Sequence, residues 1–141
     1  MPECEKAGRF IIASMPTKPR RTDDRWKELE VWQIADALAI KIYSVTQSFP
    51  KTEIFGLTSQ LRRAALSIPT NIVEGCSRMG HRELARYSVI ALGSLGEAKY
   101  LLHFANRIGY LSPEHYGELT EMTKCLGAKL WRFSESLRKK E

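Results

Sequence analysis

Four long segments of this chain repeat apolar residues at steps of three and four, the spacing that lines one face of an α-helix. In the first, Leu29, Trp32, Ala35, Ala39, Ile42, Val45 and Phe49 form the stripe. Asp23 or Asp24 is placed to cap its first turn, and Phe49-Pro50 ends it, because the residue before proline is pushed out of helical geometry. The second runs from Leu57 to Glu74 on Leu57, Leu61, Ala64, Ala65, Ile68 and Ile72, with Gly75 as its predicted C-terminal cap. The third carries Leu84, Tyr87, Ala91, Leu95, Ala98, Leu102, Ala105 and Ile108 and stops at Gly109. Ser112-Pro113-Glu114 opens the fourth with a cap, a first-position proline and an acidic first turn, and Tyr116, Leu119, Met122, Leu126, Leu130, Phe133 and Leu137 follow.

No segment alternates apolar and polar residues long enough to make a strand, and the connections between helices are short. Short connections make successive helices antiparallel neighbours. The predicted fold is therefore all-α, an antiparallel up-down four-helix bundle over residues 24–141. Residues 1–23, rich in proline and charge, are predicted to form a flexible N-terminal arm, within which Met15 offers a second start of translation. Pro69 interrupts the second helix: its ring removes the bond to the carbonyl of Ala65 and predicts a kink or a break there.

The third helix has more apolar surface than one core stripe needs. Val89, Ile90, Leu92, Leu101 and Phe104 point away from that stripe, and Gly93, Ser94, Gly96 and Ala98 supply small residues where another backbone can approach. Leu66 and Val73 add to the second helix in the same way. Either the bundle buries a wider arc, or this surface joins subunits of a homo-oligomer, and the second reading is favoured.

The search for chemistry returns little. Bundles that hold di-iron centres use Glu-x-x-His pairs, but Arg78, Tyr100 and Ser112 stand three positions before His81, His103 and His115. Cys76 and His81 share a turn, and two ligands do not make a zinc site. No phosphate-loop or nucleophile-elbow motif occurs. The reading is a protein without cofactor, metal or catalytic residues; Glu74 and Glu97 are the carboxylates expected to be partly buried, in salt bridges to arginines rather than in paired acid/base work. Three scattered cysteines form no disulfide framework, and no run is long enough to span a membrane, which points to the cytoplasm.

Charge is the remaining clue. The 141 residues carry a net charge of +6, and a basic balance favours an anionic partner. Arg62 and Arg63 are adjacent on the second helix, while Arg78, Arg82 and Arg86 run through the next turn, so the five are candidates for one phosphate-binding patch. Salt bridges to Glu74 and Glu83 are the competing explanation.

The block from Leu57 to Gly75, with Ser67-Ile68-Pro69 followed by Asn71-Ile72-Val73-Glu74-Gly75, is specific. Together with Val31-Trp32-Gln33, Phe49-Pro50 and Gly93-Ser94-Leu95 with Glu97, it resembles the four-helix-bundle proteins encoded in intervening sequences of bacterial 23S rRNA genes, also called S23 ribosomal proteins. The resemblance covers roughly residues 28–135. It implies a homopentamer, and the family also resembles the accessory proteins of diversity-generating retroelements, which associate with reverse transcriptase and nucleic acid. It describes no catalytic residue. It implies structural roles for the signature: Pro69 sets a bend, and Asn71 and Glu74 satisfy polar groups around it. The function expected is thus a non-enzymatic oligomer whose basic surface binds RNA or DNA, alone or with a protein partner; the alternative is an assembly module with no nucleic-acid role.

Overall fold

A computed structural model describes residues 24–140 of the chain, so the predicted arm over residues 1–23 lies outside the described residues. All four predicted helices are present: α1 Glu30–Thr46, α2 Leu57–Ser77, α3 Gly80–Arg107 and α4 Pro113–Arg138. Among the described residues no strand occurs, and no helix is long and apolar enough to cross a membrane. Each helix packs on two neighbours, in the order α1, α2, α3, α4 and back to α1.

The core follows the sequence stripes closely. Every stripe residue of α2 is buried, and so is every one of α4 except the half-buried Tyr116. On α1 the stripe is wider than predicted, because Val31, Ile34 and Leu38 are buried as well while Trp32 is only partly covered. Ile108, assigned to the core of α3, stands exposed beyond the helix end.

Ends are where local chemistry shows. Ser112 caps α4, its hydroxyl accepting from the amide of His115, with Pro113 in the first turn as expected. At the end of α3, Gly109 adopts φ +83°. There the amide of Tyr110 donates to the carbonyl of Ala105 across six residues, the closure that a left-handed residue permits. The start of α1 differs from the prediction. Asp24 makes no cap hydrogen bond and its carboxylate pairs with Lys27. A short 3-10 turn, Arg25–Glu28, leads instead into Leu29, which is extended, and α1 begins one residue later.

Two expectations at α2 are corrected. The helix runs unbroken through the buried Pro69, so the break does not occur. Gly75 is not a cap: α2 continues to Ser77, and Gly75 lies where α2 meets α3. A Cβ there would stand 2.9 Å from that of Tyr87 and 3.2 Å from the Cα of Leu84.

Polar ties fix how the helices sit. Glu30 of α1 pairs with Lys129 of α4, whereas Lys41, further along α1, pairs with Glu118, nearer the start of α4. Between α2 and α3, Ser67 and Ser94 share a hydrogen bond of 2.7 Å, and the Asn71 amide donates to the Ser67 carbonyl and hydroxyl. Gly127 of α4 is different in kind, because a Cβ would meet only Cδ2 of Leu95 at 3.6 Å, an ordinary contact. Gly127→Ala is therefore expected to stabilise the protein by up to about 1 kcal/mol through helix propensity; urea denaturation measures it, and a lower midpoint would contradict the packing described.

Candidate functional site

The five candidate arginines do not form one patch. Arg62 and Arg63 stand in the first half of α2, and Arg78 follows its C-terminal end, a separation of about 24 Å at the rise of an α-helix. The reason is simple: an α2–α3 hairpin brings together residues on either side of the turn, not residues a whole helix apart.

Arg62 also faces the wrong way for a ligand. Its Nε donates to the hydroxyl of Thr46 at 2.9 Å, one Nη reaches the carbonyl of Tyr43, and the guanidinium lies 4.7 Å from the Tyr43 ring centre. Thr46 is itself buried and donates to the Ile42 carbonyl. Arg62 therefore ties α2 to the end of α1. Arg63, its neighbour, is exposed.

Around the α2–α3 turn, Arg78, Arg82 and Arg86 do converge. Arg78 donates to Glu74 through Nε and Nη, and Arg86 grips both oxygens of Glu83. Both guanidiniums lie against the ring of Tyr87, at 5.5 and 4.6 Å from its centre. The hydrogen bond from Arg86 holds the Glu83 carboxyl below the usual carboxylate range, and Glu74 raises Arg78. With its folded pKa depressed, the Glu83 contribution is present above the ordinary carboxylate pKa and fades as pH falls through the lower one. Arg82, between them, is exposed and takes no ion pair among the described residues. The salt bridges foreseen as the competing explanation thus exist, and they leave one spare cation at the turn.

The structural signature is only partly local to Pro69. Near Pro69, the Asn71 amide donates to the Ser67 carbonyl, whereas Glu74 accepts from Arg78 beyond the helix end. Ser94 meets Ser67; Gly93 is exposed, and so is Glu97, which was expected to be partly buried. No group of three or more His, Cys, Asp or Glu side chains among the described residues is placed to hold a metal. Nε2 of His81 is buried without a hydrogen-bond partner. Two features escaped sequence reasoning. Tyr87, read as core, is the platform for two arginines. A cavity of about 330 Å³ is lined by Glu53, Gly56, Leu57, Gln60, Tyr100, Leu101 and Phe104; the exposed aromatic pair on α3 was its only sequence signal.

Four helices around one apolar core, with an arginine-flanked tyrosine at one turn, define an all-helical bundle protein. More particularly, the chain belongs to the 23S rRNA-intervening sequence protein family, whose model matches residues 27–132. The fold is similar to the crystal structure of a protein of unknown function from the S23 ribosomal protein family of Bacteroides thetaiotaomicron. That likeness has a TM-score of 0.63 and 22% identity, covering 71% of this chain and 94% of the other. No curated protein matches the chain.

Proposed function

We propose that this protein is a non-enzymatic subunit of a cytoplasmic homo-oligomer, a pentamer by family resemblance, whose α2–α3 turns together hold RNA or DNA. Each subunit is an antiparallel up-down bundle: the opposed order of the Glu30–Lys129 and Lys41–Glu118 pairs supports that topology for α1 and α4. In it, the missing amide of Pro69 bends α2. The observation that carries the nucleic-acid reading is Arg82, exposed between two arginines that stack on Tyr87. A single uncompensated cation binds phosphate weakly, but rotational symmetry repeats it once per subunit, and multivalent contacts multiply.

Anisotropy titrations with single-stranded RNA and duplex DNA test this. Affinity is expected to fall steeply between 50 and 200 mM salt, by roughly 0.7 to 0.9 in log K per log salt for each phosphate contact. Arg82→Glu is expected to weaken binding by at least about tenfold with helicity unchanged, since each 1.4 kcal/mol is tenfold and every subunit loses its contact. Affinity that stays flat across this salt range, or that survives the substitution, would exclude the reading.

A second reading, an assembly module with no nucleic-acid role, is favoured by the pairing of Arg78 and Arg86 with carboxylates and by the inward commitment of Arg62. A stoichiometric protein partner such as a reverse transcriptase, bound at physiological salt without RNA, would establish it.

A further inference from the structure

The cavity of about 330 Å³ between the head of α2 and the last turns of α3 belongs neither to the core nor to the arginine turn. Its apolar lining includes the buried Leu57 and Leu101. Tyr100 and Phe104, one turn apart on α3, add two rings whose centres lie 6.4 Å apart with planes tilted by 42°. Glu53, at the end of the 3-10 turn Lys51–Glu53, brings a carboxylate. A Cβ on Gly56 would stand 3.0 Å from Oε1 of Glu53, so this carboxylate lies over the bare glycine at the head of α2.

Glu53 is half-buried, yet among the described residues no cation pairs with it. Lys51, Arg63, Lys99 and Arg107 stand exposed on the surrounding elements, and none comes within ion-pair distance of it. Nor does Glu53 cap α2, which begins without a side-chain cap hydrogen bond. A carboxylate before a helix also complements its dipole, but that role needs neither a cavity nor two rings.

Elsewhere the chain completes the same combination with its own cations. Lys27 lies 5.2 Å from the Trp26 ring centre and pairs with Asp24. Arg78 and Arg86 lie against Tyr87 and pair with Glu74 and Glu83. In each case a ring and a carboxylate hold one cation between them. At the cavity the acid and the rings come from the chain, and the described residues supply no cation to join them.

We propose that this cavity binds a small organic cation, a guanidinium or primary ammonium on an alkyl stem. The charged head donates to the Glu53 carboxylate. Ring centres 6.4 Å apart leave positions within about 6 Å of both, the range of cation–π attraction. The stem lies on Leu57 and Leu101, and the Gln60 amide offers one further polar partner. The volume falls at the low end of the roughly 300–1,000 Å³ of ligand pockets, which suits one such group. A divalent metal ion fits poorly, because hard ions take about six or more oxygens and the lining offers one carboxylate and one amide. The exposed cations around the cavity act through water and are screened beyond about 8 Å at physiological ionic strength, whereas Glu53 meets the ligand directly. A free amine and an arginine or lysine side chain of a polypeptide carry the same head. This site is independent of the nucleic-acid reading, since it selects the opposite charge.

Ligand-observed saturation-transfer NMR on the full chain, with circular dichroism as the folding control, tests the site. The probes are agmatine, a free guanidinium, and N-acetylarginine methylamide, the same head on a peptide unit. N-acetylcitrulline methylamide is the uncharged isostere. Both cations are expected to bind, and the citrulline compound at least about tenfold more weakly, because it lacks the charge that the carboxylate pairs. Agmatine binding alone would assign a free amine, and the peptide form alone a polypeptide ligand. Glu53→Gln is expected to weaken binding at least about tenfold and Tyr100→Ala about threefold, both with helicity unchanged. Glu121→Gln, at an exposed position of α4, is expected to leave binding as it was. The proposal is overturned if citrulline binds as tightly as arginine or if affinity survives Glu53→Gln. Absence of binding by either cation up to about 10 mM has the same consequence.

Discussion

Gly75→Val is expected to lower the unfolding free energy by about 3 kcal/mol or more. At this position α2 and α3 approach so closely that a Cβ would stand 2.9 Å from the Tyr87 Cβ and 3.2 Å from the Leu84 Cα. A flexible side-chain tip can move aside, but a backbone carbon of the facing helix cannot, so the helices must separate. Overpacking of this sort costs about 1–3 kcal/mol in a well-packed interior, and valine adds two further methyl groups to the clash. Helix propensity returns at most about 1 kcal/mol when a mid-helix glycine is replaced, which is too little to offset it. The consequence reaches the candidate site, because Tyr87, the platform under Arg78 and Arg86, is one of the residues displaced. Urea denaturation followed by circular dichroism reads the effect. A midpoint equal to that of the parent would mean that α2 and α3 are not in contact at Gly75.

Arg62→Glu is expected to destabilise the fold by about 2–3 kcal/mol, while Arg63→Glu changes it by less than about 0.5 kcal/mol. The first substitution removes charged hydrogen bonds to Thr46 and to the Tyr43 carbonyl, together with the contact on the Tyr43 ring. It also points a carboxylate at a carbonyl oxygen. The second alters a solvated side chain. Equal thermal midpoints for the two variants would show that Arg62 is as dispensable as its neighbour. The comparison matters for any test of nucleic-acid binding, since loss of affinity in an Arg62 variant would report a loosened bundle rather than a missing phosphate contact.

The helices were legible because their information is local. A repeat of three and four places Leu61, Ile68 and Ile72 on one side of α2 whatever surrounds them, and Ser112-Pro113 starts α4 through its own hydroxyl and ring. The family was legible for the same reason, in the block ending Asn71-Ile72-Val73-Glu74-Gly75. The candidate site was legible only in fragments. Adjacent arginines in a sequence carry no record of which way each side chain turns: Arg62 reaches across to α1 and Arg63 meets water. Gly75 was misread because a glycine near a helix end suits a cap and a close crossing equally well, and the two differ only in what stands opposite. Leu101 and Leu92, counted as surplus, prove buried or packed against the core, while Leu66, Val89, Ile90 and Phe104 remain outside it.

By itself, then, the sequence determined the four α-helices of the described residues, most of their core faces and the family, since each depends on residues within a few turns of one another. Tertiary structure alone decided that Gly75 is a contact point, that Arg62 is a strut, that Tyr87 gathers two arginines and that Ile40 and Gly93 are left uncovered. Each of these depends on which residue of another helix, distant along the chain, comes within a few ångströms, and only the packed bundle sets that distance.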